Sequence, residues 1–305
     1  MKRSSKVSLL AILAVAITFG LVVSTPALAA TTPPMGMANT FVILSSTYTN
    51  TAAGTTISGD LGYTTGPAVT PTVTGTTYVA DATYNQAGID QATALANLNS
   101  QPATFTFAPG AIDLATDTTH GPIGVYTPGV YVITGAASIG AGGITLSGEG
   151  TYIFRMDGAL TTVANSVVTL ADGASPCDVF WTPTQATTLG ANSTFVGTDI
   201  DASGITIGST VTWLGRALAF GGTVSTDTDT ITLPPCALSP TPTPTPTPAP
   251  APTPAPGAGL PYTGGIASVY KSVPWNIGML AGAFMVLTLF AALIMFKVAR
   301  RNKTN

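Results

Sequence analysis

Thr188-Leu189-Gly190-Ala191-Asn192-Ser193-Thr194-Phe195-Val196-Gly197 is echoed by Thr206-Ile207-Gly208-Ser209-Thr210-Val211-Thr212-Trp213-Leu214-Gly215, eighteen positions on. Gly190 meets Gly208, Phe195 meets Trp213, and Gly197 meets Gly215. A third segment, Thr223 to Leu233, follows at a similar step. Short β-type runs closed by glycine corners at a fixed period are the signature of a solenoid, in which each repeat buries its apolar face only by stacking on its neighbours. The fold predicted is mainly β: an irregular right-handed β-solenoid with coils of about 18 residues. Stacking puts equivalent residues into straight files, and here the files are mostly threonine and serine.

One segment breaks the β pattern. Ala80 to Leu98 is rich in alanine and glutamine and poor in β-branched residues, which favours a helix. Asp81 is placed to cap its start, and Ser100-Gln101-Pro102 stops it. An apolar stripe of Ala87, Ile89, Ala94, Leu95 and Leu98 is expected to pack along a solenoid face. The long helix then lies alongside the coils.

The ends of the chain carry addresses. Lys2, Arg3 and Lys6 precede an apolar run from Val7 to Val23, and Ala27-Leu28-Ala29 fits a small-x-small cleavage site. Residues 1–29 are predicted to be a signal peptide, and 30–236 the exported domain. Residues 237–259 form a stalk of Thr-Pro and Ala-Pro pairs, which favours polyproline II. From Trp275 to Phe296 no residue is charged, enough to cross a bilayer as a helix (275–296). The basic tail 297–305, with Lys297, Arg300, Arg301 and Lys303, belongs in the cytoplasm. Between stalk and helix, Leu260-Pro261-Tyr262-Thr263-Gly264 (260–264) resembles the L-P-x-T-G sorting signal of Gram-positive surface proteins. That resemblance implies that a sortase cuts between Thr263 and Gly264 and joins Thr263 to cell-wall peptidoglycan. Gly265 to Pro274 make the gap before the apolar run longer than is usual for the signal. The domain is thus expected outside the cell, anchored to wall or membrane.

Composition narrows what the domain does. Charged residues are 8% of the chain, against about 25% in ordinary soluble domains. No lysine occurs between Val7 and Tyr270, and Arg155 and Arg216 are the only basic residues of the domain beside its single histidine. Nucleic acid and anionic lipids, which need clustered cations, are disfavoured as partners. A surface of hydroxyl and methyl groups suits an uncharged partner. Cys177 and Cys236 are the only cysteines. An even count in an exported chain favours a disulfide over two buried free thiols. No metal or cofactor is expected, and a monomer is.

These stretches together resemble the microbial ice-binding-protein family. The resemblance rests on Phe41-Val42-Ile43-Leu44, Thr49-Asn50-Thr51, Ser58-Gly59-Asp60-Leu61-Gly62, Pro128-Gly129-Val130-Tyr131, Tyr152-Ile153-Phe154-Arg155, Cys177-Asp178-Val179-Phe180-Trp181, Thr188-Leu189-Gly190 and Gly215-Arg216-Ala217-Leu218-Ala219, closing at Cys236. The resemblance departs from the family at Asp178, where Asn is expected. It implies a discontinuous solenoid that adsorbs to ice through a flat face. The residues expected on that face are Thr188, Asn192 and Thr194, then Thr206, Thr210 and Thr212, then Thr226, Thr228 and Thr230. Thr162 and Asn165 extend the files one coil earlier, and Thr55, Thr56 and Ser58 form a rival patch.

Two other readings stand beside it. A cell-wall adhesin for glycans or another surface would use the same stalk and anchor. A polysaccharide-active β-helix enzyme would use paired carboxylates such as Asp199 with Asp201, or Asp227 with Asp229. Solvated acids at coil corners are the plainer explanation of both pairs. His120, in Thr118-Thr119-His120-Gly121-Pro122, has no nucleophile motif beside it and is expected to be a loop residue. No catalytic residue is assigned.

Overall fold

The structure, a computed structural model, describes residues 29–236. Most of the expected leader, the stalk, the sorting motif, the membrane helix and the basic tail lie outside the described residues. Among the described residues no helix is long and apolar enough to cross a membrane. The strands form one 17-stranded sheet and one 3-stranded sheet, with parallel pairing throughout the assigned registers. Parallel neighbours connected by turns in one direction are a sheet wound into coils.

Each coil has three sides. The first side is built of three-residue strands, Ala137–Ile139, Leu160–Thr162, Thr187–Leu189 and Ile205–Ile207. The second begins with Ile144–Ser147 and Val168–Ala171 and continues through the starts of Thr194–Ile200 and Thr212–Thr226. The third holds Gly129–Ile133, Tyr152–Met156 and Val179–Pro183. Strands alternate their side chains, so one set fills the interior. There Tyr131, Phe154 and Trp181 stack at 5.1 and 4.4 Å between ring centres. Phe195 meets Trp213 edge-on at 5.1 Å. Each such fully buried ring contributes about 1.5–3 kcal/mol relative to exposure.

The eighteen-residue echo is the winding itself. Thr194 to Ile200 pairs residue for residue with Thr212 to Leu218. The echoed glycines mark the tight places: a side chain at Gly215 would run into the Gly197 carbonyl. Eighteen residues describe only part of the stack, however. The step from Ser138 to its partner Thr161 is 23 residues, and from Thr161 to Thr188 it is 27. The first of these coils is larger because Gly148 to Thr151 separate Ile144–Ser147 from Tyr152–Met156, and the second because Asp172 to Asp178, with a turn and a short 3-10 helix, separate Val168–Ala171 from Val179–Pro183. The chain order is also broken. Phe41–Asn50 pairs with Thr212–Thr226, and Thr56–Ser58 pairs with Thr230–Thr232, so the first strands of the domain supply rungs beyond the last.

The helix α1 (Ala82–Ser100) covers the third side. Asp81 caps it, its carboxylate accepting the Tyr84 amide at 2.8 Å. Tyr84, Ala87, Gly88, Gln91, Ala94 and Leu98 are the buried residues, at spacings of three and four. They pack against Phe41, Leu44, Val130, Ile153, Phe180, Ile200 and Leu218. Ile89, expected in this stripe, is 60% exposed, because it lies about two-fifths to half a turn away from Ala87, Gln91, Ala94 and Leu98, on the opposite side of the helix. Arg216 is buried at the edge of the same side, its guanidinium donating to Asn39 and Thr198. Cys177 and Cys236 are bonded, joining the start of Val179–Pro183 to the end of the domain.

Candidate functional site

The first side carries the longer of two outward hydroxyl files. Ser138, Thr161, Thr188, Thr206, Ser225 and Thr49 are successive partners on neighbouring rungs, with Asp113 closing one end. Rungs about 4.8 Å apart make this six-hydroxyl file about 24 Å long. The strands are so short that each points a single residue outward while its two neighbours enter the core, as the buried-exposed-buried pattern of Leu160–Thr162, Thr187–Leu189 and Ile205–Ile207 shows. Two positions earlier stand Ala136, Ala159, Ala186 and Gly204, all too small to shade the hydroxyls. Beyond them Thr47 and Thr223, themselves paired, widen the hydroxyl surface. Along the file Thr49 donates to the Ser225 hydroxyl at 2.8 Å.

A corner file follows. Asn165, Asn192, Thr210 and Thr228 all have positive φ, between 57° and 63°. Asn tolerates this left-handed turn, but for β-branched threonine it is strained. The amide of Asn165 donates to Ala191, that of Asn192 to Ser209 and that of Thr210 to Asp227, which stacks the corners one above another. The Thr210 hydroxyl also reaches the Asn192 side chain.

On the second side Thr194, Thr212, Thr230, Thr56 and Thr72 are direct partners over five rungs. Thr194, Thr212, Thr230 and Thr72 are exposed, and Thr56 is half-buried. The next rung in one direction is Val167.

The expected residues therefore divide among three places instead of forming one plane. Thr188 and Thr206 belong to the first side, Asn165, Asn192, Thr210 and Thr228 to the corner, and Thr194, Thr212 and Thr230 to the second side. Thr162 and Thr226 are on no surface. Thr162 is an inward residue whose hydroxyl accepts the Gly190 amide at 2.9 Å. Thr226 is buried, bonded to the Tyr48 hydroxyl at 2.8 Å and to Asn50 at 3.0 Å. The rival patch dissolves: Thr56 simply continues the file of Thr230, while Thr55 is buried against Asn50. Reasoning from sequence missed Ser138, Thr161, Ser225 and Thr49. The rungs of Ser138, Thr161 and Thr49 break the eighteen-residue step, and that irregularity hid them.

Three of the four paired acids are not the solvated corner residues expected of them. Asp199, Asp201 and Asp229 are buried within the coils. Asp201 accepts the Thr187 and Ser203 amides, and Asp229 those of Val211 and Asp227. Both are tied to turns and present no open carboxylate to a substrate. Neither Asp199 oxygen has a hydrogen-bond partner. Burial holds the Asp199 carboxyl well above the usual carboxylate range, and the charge of Asp201 adds to the rise. Burial likewise raises Asp201, and it raises Asp229 to about 6. His120 fastens a loop. Its Nδ1 lies 2.5 Å from Asp117, its Nε2 2.9 Å from the Val125 carbonyl, and its ring stacks on Tyr126 at 4.0 Å. No group of three or more acids, cysteines and histidines suited to a metal occurs among the described residues.

A wound parallel sheet with a helix laid along one side and hydroxyl files on the other two defines a class of solenoid proteins that present regular polar lattices. Residues 42–232 match the family model described as Ice-binding-like, and the chain belongs to that family. It is 33% identical over 214 residues to an ice-binding protein of Nostoc sp. (strain HG1), a match covering 67% of this chain and 75% of that one. An ice-binding protein of Flavobacterium frigoris (strain PS1) is 31% identical over 198 residues, covering 61% and 71%. Among solved structures, an ice-binding protein from an Antarctic biological consortium aligns with a TM-score of 0.60 at 30% identity, covering 70% of this chain and 96% of that one. One from the Antarctic ascomycete Antarctomyces psychrotrophicus aligns with a TM-score of 0.59 at 27% identity, covering 66% and 98%.

Proposed function

We propose that this protein is an ice-binding protein of the cell surface, adsorbing to ice through the first side of its solenoid. The observation that carries this is the straight file from Ser138 to Thr49, six hydroxyls in register, with Ala136, Ala159, Ala186 and Gly204 along one side of it. Each threonine offers a hydroxyl to anchor a water and a methyl to order the waters around it. Its χ1 is stiff, so the array is set before ice arrives. No charged side chain stands within the six-residue file to hold a hydration shell of its own. Many weak, equally spaced contacts act together on a periodic solid, where one strong contact would not.

The second part of the proposal concerns placement. A leader at 1–29 exports the chain, a sortase joins Thr263 to peptidoglycan, and the Pro-rich stalk holds the domain off the wall. At about 3.1 Å per residue such a tract spans on the order of 60–70 Å. Binding ice and anchoring are separate claims with separate tests. Thermal hysteresis and inhibition of ice recrystallisation by residues 30–236 test the first; absence of both at high micromolar protein rejects it. Release of the protein from cells by a muramidase, but not by detergent alone, tests the second.

A further inference from the structure

We infer that the second side is a separate ice-contacting surface, so that one molecule engages two crystal planes. The inference rests on the ice-binding reading above and extends it to a face that the reading does not use. Thr194, Thr212, Thr230, Thr56 and Thr72 occupy one outward position on five consecutive rungs, about 19 Å from end to end. Their neighbours Phe195, Trp213 and Ile231 are fully buried, which fixes the backbone beneath the file. The Thr56 and Thr230 hydroxyls approach to 3.4 Å, so the side chains follow the spacing of the rungs.

The two files cannot lie on one plane. Between Thr188 and Thr194 the chain passes through the left-handed residue Asn192, and between Thr206 and Thr212 it passes through Thr210. The turn at each rung redirects the strand, and the stacked corner becomes a ridge between two surfaces. The surroundings of the files differ as well. Beside Thr188 and Thr206 stand Ala186 and Gly204; two residues beyond Thr194 and Thr212 come the buried Val196 and the half-buried Leu214. Two surfaces with different tilt and different apolar content match different planes of the crystal. Val167 ends the second file, which makes this the shorter of the two surfaces.

The test uses residues 30–236, since the solved relatives fold as chains that this domain covers by 96% and 98%. Fluorescently labelled protein is frozen into a single-crystal ice hemisphere and the stained planes are mapped. The wild type is expected to stain two sets of planes. Thr206→Tyr, on the first side, is expected to lose one set and keep the other; Thr212→Tyr, on the second, is expected to do the reverse. Each single variant loses several-fold in thermal hysteresis, and the double variant falls to the buffer value. Thr230→Lys, one rung on, repeats the Thr212→Tyr result through charge instead of bulk and guards against a folding defect in either. If Thr212→Tyr and Thr230→Lys both keep every stained plane and full hysteresis, the second surface does not exist. If Thr206→Tyr alone abolishes all staining, the second side does not bind by itself and the inference fails while the first-side reading stands. If the wild type stains no plane, the ice-binding reading itself fails.

Discussion

Thr187 and Thr188 are adjacent, chemically identical and opposite in fate. Thr188 stands exposed in the first-side file, while Thr187 points inward, its hydroxyl without a bonding partner near the unpartnered Asp199. Such a carboxyl favours the neutral form in the folded state. Its folded pKa lies above the unfolded value of about 3.9, so its contribution is intact below that value and is lost as pH rises through the folded pKa. The same holds for Asp229 over a window from about 4 to about 6. The melting temperature of the domain should therefore fall between pH 4 and pH 7. Asp199→Asn should raise it at pH 7 and leave it unchanged at pH 4, as followed by circular dichroism. An equal shift at both values would mean that ionisation of Asp199 does not cost stability. The corner offers a second prediction at this scale. Thr228 holds φ 57°, and a β-branched residue there costs of order 1–3 kcal/mol. Thr228→Gly should stabilise the domain by about 1 kcal/mol in urea unfolding, some of the relieved strain being offset by the added freedom of the unfolded chain.

At the scale of elements, much could be foreseen. The echo gave the register from Thr194 to Gly197 correctly because the last coils have no insertions. The helix was recognisable from its composition and its Asp81 cap, though Ile89 was misplaced. What could not be read was which way a threonine faces in a three-residue strand. Thr162 and Thr226 look like surface residues by type, and only the register of their rungs turns them inward. Sequence also gave no warning that the strands from Phe41 onward would pair beyond Thr212–Thr226. That joining depends on contacts between distant residues, which local pattern does not encode. The helix supports a direct test. Asp81→Ala removes the bond to the Tyr84 amide and should cost about 1 kcal/mol. Gly88→Leu should cost more, because a side chain there collides with the Phe220 ring and lifts the helix from the third side. Hydrogen exchange should then rise in 82–100 before it rises in the coils.

For the whole molecule, the rungs contributed by Phe41–Asn50 and Thr56–Ser58 make the domain a closed argument of its parts: no end can be removed without uncovering the interior of the other. Removing residues 30–58 should leave Ala217, Val224 and Ile231 with solvent on one flank, and the shortened chain should fail to melt cooperatively. Reduction of the Cys177–Cys236 bridge should be milder. In the chain-entropy view a loop of this size contributes about 4 kcal/mol, so the reduced domain should remain folded at low temperature and melt earlier.

The disulfide also decides how the domain bears a pull. The start of the described chain comes to the same place as its end, with Thr32 bonded to Asp178 and Cys236 bonded to Cys177. A pull applied beyond Cys236 is divided at the sulfur bridge, which passes part of it directly to Cys177. Thr188, Thr206 and Ser225, and likewise Thr194, Thr212 and Thr230, all lie in the segment between the two cysteines. A load between those residues and a pull beyond Cys236 enters the segment from both of its ends at once, so the strands that carry the hydroxyl lattice are loaded together and not peeled away one rung at a time.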